Sequence, residues 1–206
     1  MKCILCLYQA NYFYTHNNRE FYFCSNCFSV FLSPKNFISK DLKKEIYITK
    51  SLNATTKTAA TKTKSLCNII TNNFNKDSIG LDFGSGKTST IKNLLEKEGY
   101  EINLFDTYFY PDKSVLKYDF IICNDVLSNF NNPSKEFKQL FEMLNPNGKL
   151  YCLVELFKAE RNFNDWEYKN DLTKVFFYYP NTIEWISENL GFKNYSIIDD
   201  LVIFEK

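Results

Sequence analysis

Four of the seven cysteines fall into two pairs, Cys3-x2-Cys6 and Cys24-x2-Cys27, with 17 residues between the pairs. A C-x2-C turn brings two thiolates to one ion, and two such turns complete the tetrahedral S4 set that zinc prefers. Between them, Tyr12-Phe13-Tyr14 and Phe21-Tyr22-Phe23 read as short strands around the polar turn His16-Asn17-Asn18-Arg19-Glu20. This layout predicts a zinc ribbon over residues 1–33, with the metal standing in for a core too small to hold itself together. Four thiolates close the coordination sphere, so the expected role is structural. Leu7 and Phe28 occupy positions where zinc knuckles often carry Gly. Disulfides are the alternative use of the same cysteines, and no export signal recommends them. Cys67, Cys123 and Cys152 lie singly in apolar segments and read as core residues.

A second string able to do chemistry is Asp82-Phe83-Gly84-Ser85-Gly86-Lys87-Thr88. Three ligands fit it to different degrees. Gly86-Lys87-Thr88 matches the end of a phosphate loop, G-x4-G-K-[ST], but the opening Gly would fall on Leu81 and the nearby Gly80 misses by one. A dinucleotide fingerprint, G-x-G-x-x-G, lacks its third Gly because position 89 is Ser. The third ligand is S-adenosylmethionine. Asp82 would present a carboxylate to a cation-bearing ligand, Gly84 and Gly86 would let the backbone approach it, and Asp106 could accept hydrogen bonds from both ribose hydroxyls. Only this reading uses Asp82, the glycines and Asp106 together.

The elements that must position these residues follow from periodicity. Residues 34–50 look helical and charged, and 53–65, rich in Thr, Ala and Lys, read as a mobile linker or a lid over a site. Leu66, Ile69, Ile70 and Phe74 then make one apolar helical face. From there the chain alternates: a strand at 79–83, a helix at 88–98 stopped by Gly99, strands at 101–106 and 120–124, a helix opened by Pro133, a strand at 149–155 after the turn Asn145-Pro146-Asn147-Gly148, a helix closing at Gly191, and two final strands joined by Asp199-Asp200. The predicted class is α/β: a Rossmann-like, mostly parallel sheet with a C-terminal antiparallel hairpin. Ligands of such sheets bind beyond the carboxyl ends of the strands, which places Asp82–Gly86, Asp106, Asn124–Asp125 and Glu155 in one crevice.

Composition narrows the options. A net charge of +1 over 206 residues removes the general electrostatic case for nucleic acid, and only Arg19 and Arg161 offer guanidinium groups. His16 is the single histidine, so a Ser-His-Asp triad away from the N-terminus is excluded. No run of about 18 apolar residues is present to span a bilayer, and a soluble, cytoplasmic protein is expected.

The order of elements over residues 66–206 resembles the class I S-adenosylmethionine-dependent methyltransferases. The matching pieces are Leu81-Asp-Phe-Gly-Ser-Gly86, Leu104-Phe-Asp106, Tyr118-Asp-Phe-Ile-Ile-Cys-Asn-Asp-Val-Leu-Ser-Asn-Phe130 and Leu144-Asn-Pro-Asn-Gly-Lys-Leu150. With the cysteine pairs, Phe105-Asp-Thr-Tyr-Phe-Tyr-Pro111, Asp165-Trp-Glu-Tyr168 and Asp171-Leu-Thr-Lys-Val-Phe-Phe-Tyr178, the chain is similar to a bacterial subgroup carrying an N-terminal zinc ribbon. The resemblance implies a Rossmann-like methyltransferase domain over 66–206, preceded by a connector at 34–65 and the ribbon. It implies cofactor contacts from Asp82, Gly84, Ser85, Gly86, Asp106, Thr107, Asn124 and Asp125. Asp125, Glu155 and Lys174 are the catalytic candidates, and Trp166, Tyr168, Asp171 and Tyr178 form a substrate-side flap.

The sequence also departs from the family pattern. Thr88 replaces a third Gly, Asn129 stands where many relatives carry His, and Lys174 stands where the subgroup carries His. Only 13 positions separate Asp106 from Asp119, too few for the usual helix, strand and helix, so the third strand should be reduced or missing. The methyl acceptor is expected to be a small molecule. The alternatives are an RNA held partly by the ribbon and the Lys-rich residues 35–64, or a non-catalytic adaptor that binds a partner.

Overall fold

The computed structural model describes residues 1–52, 56–112, 116–158 and 162–206. Its N-terminal hairpin pairs β1 (Asn11–His16) with β2 (Arg19–Cys24), and β3 (Ser29–Leu32) adds to the other edge of β2. Asn17 and Asn18 turn the hairpin in left-handed conformations, φ 49° and 59°, which Asn tolerates better than most residues. Helices α1 (Lys40–Leu52) and α2 (Lys57–Asn73) follow.

The stretch 53–65, expected to be a mobile linker, is therefore helical from Lys57 onward, while 53–55 lie outside the described residues. Ala and Lys are strong helix formers, Thr56 caps the helix by accepting from the Ala59 amide, and burial of Thr63, Leu66, Cys67 and Ile70 anchors one face. That anchoring supplies the packing a low-complexity run lacks by itself.

The main sheet is built from β4 (Ile79–Phe83), β5 (Glu101–Phe105), β6 (Tyr118–Asn124), β7 (Leu144–Leu153), β9 (Asn194–Ile198) and β10 (Leu201–Glu205), in the order β5-β4-β6-β7-β10-β9. β5, β4, β6 and β7 run parallel, and β10 pairs antiparallel with both β7 and β9. The predicted class and terminal hairpin are thus observed. No strand lies between β5 and β6 among the described residues, so β5 ends the sheet and the third strand is absent there.

α3 (Thr90–Lys97) links β4 to β5, α4 (Pro133–Met143) links β6 to β7, and α5 (Pro180–Asn189) precedes the final hairpin. β7 begins at Leu144 rather than at the expected Lys149, because Leu144 pairs with Tyr118 and the intervening turn is held to the C-terminal residue: Asn147 N donates to Lys206 O and Lys206 N to Gly148 O. Chain order reverses at β4, with β5 on one side and β6 on the other, and this opens the switch-point crevice.

One pairing was not expected from the sequence. The two-residue strand β8 (Phe176–Phe177) joins the edge of β3, matching Val30 with Phe177 and Phe31 with Phe176. The ribbon sheet is therefore completed by a strand from the C-terminal part of the chain. Phe21, Val30 and Leu32 of the ribbon share a core with Phe157, Phe163, Trp166, Val175 and Phe177.

Candidate functional site

The four paired cysteines converge. Their Sγ atoms all lie within 4.8 Å of one another, with Cys3 to Cys27 at 3.5 Å and Cys6 to Cys24 at 3.4 Å. A ZnS4 tetrahedron with bonds of about 2.3 Å has S···S edges of roughly 3.8 Å, so the donor set fits that ion. Leu7 and Phe28 adopt φ 62° and 53°. The chain takes the left-handed turn after each pair even without Gly. Without an ion the thiols divide: the hydrogen bond from Cys27 pulls Cys3 down to about 5 against the effect of burial, while burial pushes Cys24 up to about 11 and the hydrogen bond to Cys3, with burial, raises Cys27.

The second site lies at the ends of β4, β6 and β7. Asp82, 3% exposed, accepts from Ser89 Oγ at 2.6 Å. Ser89 in turn caps α3 by accepting from the Lys92 amide at 2.9 Å. Burial pushes Asp82 up to about 6, opposed by Ser89 and reinforced by Asp106. Ser89 escaped the sequence reading, although a Ser placed before a helical run is a recognisable cap signal.

The glycine loop is fastened to β5. Gly84 N donates to Phe105 O at 2.7 Å, and Gly86 N to Asp106 Oδ2 at 3.0 Å. Gly84 has φ +78° and a Cβ there would sit 2.4 Å from Val126 Cγ2, whereas Gly86, at φ +67°, opens onto empty space. Asp106 Oδ1 also accepts from the amides of Tyr108 and Phe109, at 2.8 and 3.2 Å. Its orientation is set by a turn that stands where the third strand would begin. Thr107 is exposed at the apex of that turn.

A cavity of about 400 Å³ follows. Asp82, Gly84, Ser85, Asn124, Asp125, Glu155 and Tyr168 line it, and the start of α2 closes it with Thr56, Ala59 and Thr63. The segment expected to be a lid does cover the crevice, as the first turns of a helix. Gly86, Asp106 and Thr107, expected to contact the cofactor, are not part of this lining.

On the acceptor side, Asp125 adopts φ 55° and donates its amide to Leu153 O at 2.9 Å. Its Oδ1 accepts from Lys174 Nζ at 2.7 Å and from the Tyr168 hydroxyl at 2.8 Å. Oδ2 has no partner among the described residues. Lys174 Nζ also sits 3.9 Å from the centre of the Tyr168 ring, and Trp166 stacks on the same ring at 5.2 Å. Trp166 Nε1 donates to Glu155 Oε1 at 2.7 Å. Burial lowers the Lys174 pKa, with Asp125 opposing the shift, and burial raises that of Tyr168.

The remaining flap residues separate from this cluster. Tyr178 is in the core, with its hydroxyl donated to Leu127 O at 3.1 Å, and does not reach the cavity. Asp171 pairs with Lys50 of α1 at 2.6 Å and accepts from Thr173, also outside the lining. Asn129 holds the Asp125 carbonyl through its Nδ2 at 3.2 Å.

The family described as "Methyltransferase domain" matches residues 58–197, more than half of the chain. The chain belongs to this methyltransferase-domain family. The match starts in the first turn of α2, so the ribbon and α1 precede the family region. The fold is similar to that of the 1,6-didemethyltoxoflavin-N1-methyltransferase of Burkholderia thailandensis, solved with 1,6-didemethyltoxoflavin and S-adenosylhomocysteine: 9% identity, TM-score 0.56, 96% of this chain and 99% of that one. It is also similar to human N-acetylserotonin methyltransferase, solved with S-adenosylmethionine: 13% identity, TM-score 0.50, 63% of this chain and 47% of that one. This chain thus spans about half the length of the human enzyme. At these identities the likeness is one of fold. No curated protein matches the sequence. Among the described residues no helix is long and apolar enough to cross a membrane.

Proposed function

We propose that this methyltransferase-family protein binds S-adenosylmethionine in the switch-point crevice and methylates a small molecule, with a structural zinc in the ribbon. The observation that carries the reading is the crevice itself. Asp82, Gly84 and Ser85 face it from the end of β4, Asp125 and Glu155 face it from the ends of β6 and β7, and Asp106 holds the loop through the Gly86 amide. Asp82, Gly84, Ser85 and Asn124 would hold the cofactor, with Asp106 and Thr107 at the ribose end. Cys3, Cys6, Cys24 and Cys27 would hold the zinc.

When bound, S-adenosylmethionine supplies an electrophilic methyl group on a sulfonium. The chain's own residues align the acceptor and receive its proton. Asp125 suits that task better than Glu155. Lys174 and Tyr168 both bond to one of its oxygens, which leaves the other oxygen for an O–H or N–H of the acceptor. Lys174 itself is 3% exposed and stands behind Asp125, outside the cavity lining. Its role is positioning. Trp166 and Tyr168 stiffen this wall, since a stacked ring pair with both polar ends engaged has little freedom left.

A small acceptor is favoured over RNA by the sign of the walls. Asp82, Asp125, Glu155 and Asp200 face the cavity, and its one lysine among the described residues, Lys62, pairs with Asp200. Such a lining repels a phosphate backbone. The division into ribbon (1–33), connector (34–65) and methyltransferase domain (66–206) belongs to the same proposal, with the connector's last residues forming the start of α2.

Calorimetric titration with S-adenosylmethionine, S-adenosylhomocysteine and Mg-ATP tests the reading. Micromolar binding of the first two without ATP is expected. Binding of ATP alone would assign Gly86-Lys87-Thr88 to phosphate, and silence from all three would favour an adaptor.

A further inference from the structure

Arg19 is one of two arginines in a chain that otherwise uses lysine for its positive charge. It opens β2, inside the ribbon, yet its side chain ends among residues 163–179 of the flap. Nη1 donates to Lys169 O at 2.8 Å and Nη2 to Lys174 O at 3.0 Å, and the residue is 8% exposed. A guanidinium presents donors in a rigid fork and can bridge two carbonyls, whereas an ammonium is a single point that serves one such geometry poorly. The loop between those carbonyls ends in Lys174, whose ammonium grips Asp125.

The ribbon holds the same segment at further points. β8 pairs with β3, Leu32 N donates to Val175 O at 2.8 Å, and Tyr14 donates its hydroxyl to Asn164. At the far end of β2 stands Cys24, one of the four clustered thiols, and β3 starts two residues after Cys27. Among the described residues the ribbon makes no hydrogen bond to the cofactor half, although Leu5, Ala10 and Phe31 share the main core with Leu81, Phe83 and Phe105. Asp82 is held by Ser89, the glycine loop by Phe105 and Asp106, and Asp106 by its own turn.

We propose that Arg19 is a positioning residue for the acceptor side: the ribbon, through Arg19, fixes the 169–174 loop and so sets Lys174 on Asp125, while the cofactor side assembles without it. The proposal rests on the reading of Asp125 as the acceptor-side carboxylate. The ribbon is then a template for half of the active site, and its metal acts on the acceptor wall through β2 and β3.

The test compares wild type with R19K, which keeps the charge but not the fork. Amide hydrogen exchange should accelerate by roughly tenfold or more across 163–179 and stay unchanged across 79–110. The affinity for S-adenosylhomocysteine should stay within about twofold. The side-chain NMR titration of Lys174, assigned by its loss in K174M, should move up toward the ordinary lysine range as water reaches the ammonium; Asp125, Asp171 and Lys50 are the charges that face it. Equal acceleration of both segments, no acceleration of 163–179, or an unmoved Lys174 titration would overturn the assignment. A second measurement uses the wild-type protein. Chelating the zinc should loosen 163–179 before 79–110, and simultaneous loss of both would remove the ribbon from the argument. Should wild type bind no S-adenosylhomocysteine, the methyltransfer reading fails, while the exchange and titration results still decide the role of Arg19.

Discussion

The ion pair between Lys174 and Asp125 is asymmetric, and the asymmetry can be tested by breaking it from each end. The Lys174 side chain is 4% exposed and that of Asp125 is 59% exposed. Replacing Asp125 with Asn strands a buried ammonium without its anion. Fully buried pairs lose about 3–5 kcal/mol in that situation, and the exposure of the Asp125 end reduces the expected loss to about 2 kcal/mol. Asn keeps the left-handed backbone of position 125 at little strain, so the loss reports the charge. Replacing Lys174 with Met removes the desolvated ammonium, keeps an unbranched stem against Tyr168, and leaves a carboxylate that water can solvate. The expected change is within about 1 kcal/mol.

For a chain of this length the difference corresponds to a melting temperature about 4–8 °C lower for D125N at pH 7. The pH dependence supplies the sign. Burial already lowers the Lys174 pKa and Asp125 opposes that shift, so removing Asp125 lowers it further. A lysine whose folded pKa is depressed destabilises the native state while it is charged, and the penalty fades as pH rises through the folded value. The D125N deficit should therefore shrink between pH 7 and pH 10. Thermal unfolding of both variants across that range is the assay. Equal deficits, a larger one in K174M, or a D125N deficit that ignores pH would refute the reasoning.

Three further outcomes are expected. G84A should abolish S-adenosylhomocysteine binding in calorimetry, because its Cβ would meet Val126 at 2.4 Å, while G86A meets nothing within 4 Å and should weaken binding only by the left-handed strain, about 1 kcal/mol or some fivefold. Because burial raises Asp82 to about 6, above its unfolded value of about 3.9, the unliganded protein is stabilised below pH 4 and loses up to about 3 kcal/mol as pH climbs from 4 to 6. D82N should accordingly match wild type near pH 4 and be the more stable protein at pH 7 in denaturant titrations, with cofactor binding lost. L7G should raise the melting temperature by about 2–4 °C, since Leu7 holds φ 62° and is 69% exposed, so relief of strain outweighs the packing lost.

Placements that depend on spacing along the chain were readable in advance. The convergence of the cysteine pairs, the Asp82–Gly86 loop at the end of β4, Asp106 beside it, and the lack of a third strand among the described residues all follow from local intervals. What depends on distant partners was not. Tyr178 and Trp166 look alike in the sequence, as aromatic residues in a polar flap, but one hydrogen-bonds Leu127 O in the core and the other supports Glu155 in the crevice wall. Two consecutive phenylalanines, Phe176 and Phe177, carry no period that marks a strand; β3 makes them one. Arg19 sits in a hairpin turn pattern, and only the fold shows that its partners lie some 150 residues away. The Thr/Ala/Lys run before Ser65 is helical from Lys57, where a mobile run was expected, for the converse reason. Its helical propensity was visible, but the core that fixes its register comes from the sheet beneath.

The four-stranded sheet also constrains how the chain is made. Three of its strands come from the first 32 residues, and the fourth is not available until residue 177 has been added. Long-range pairing of this kind slows folding, because the intervening loop must be closed before the contact stabilises anything. During synthesis the ribbon therefore emerges with Val30, Phe31 and Leu32 along an unpaired edge, and that edge waits for most of the chain. Zinc captured early would hold the two knuckles together through the wait. The order of events follows: the metal site can form first, the parallel sheet next, and the flap last, as β8 docks on a ribbon edge exposed since the start.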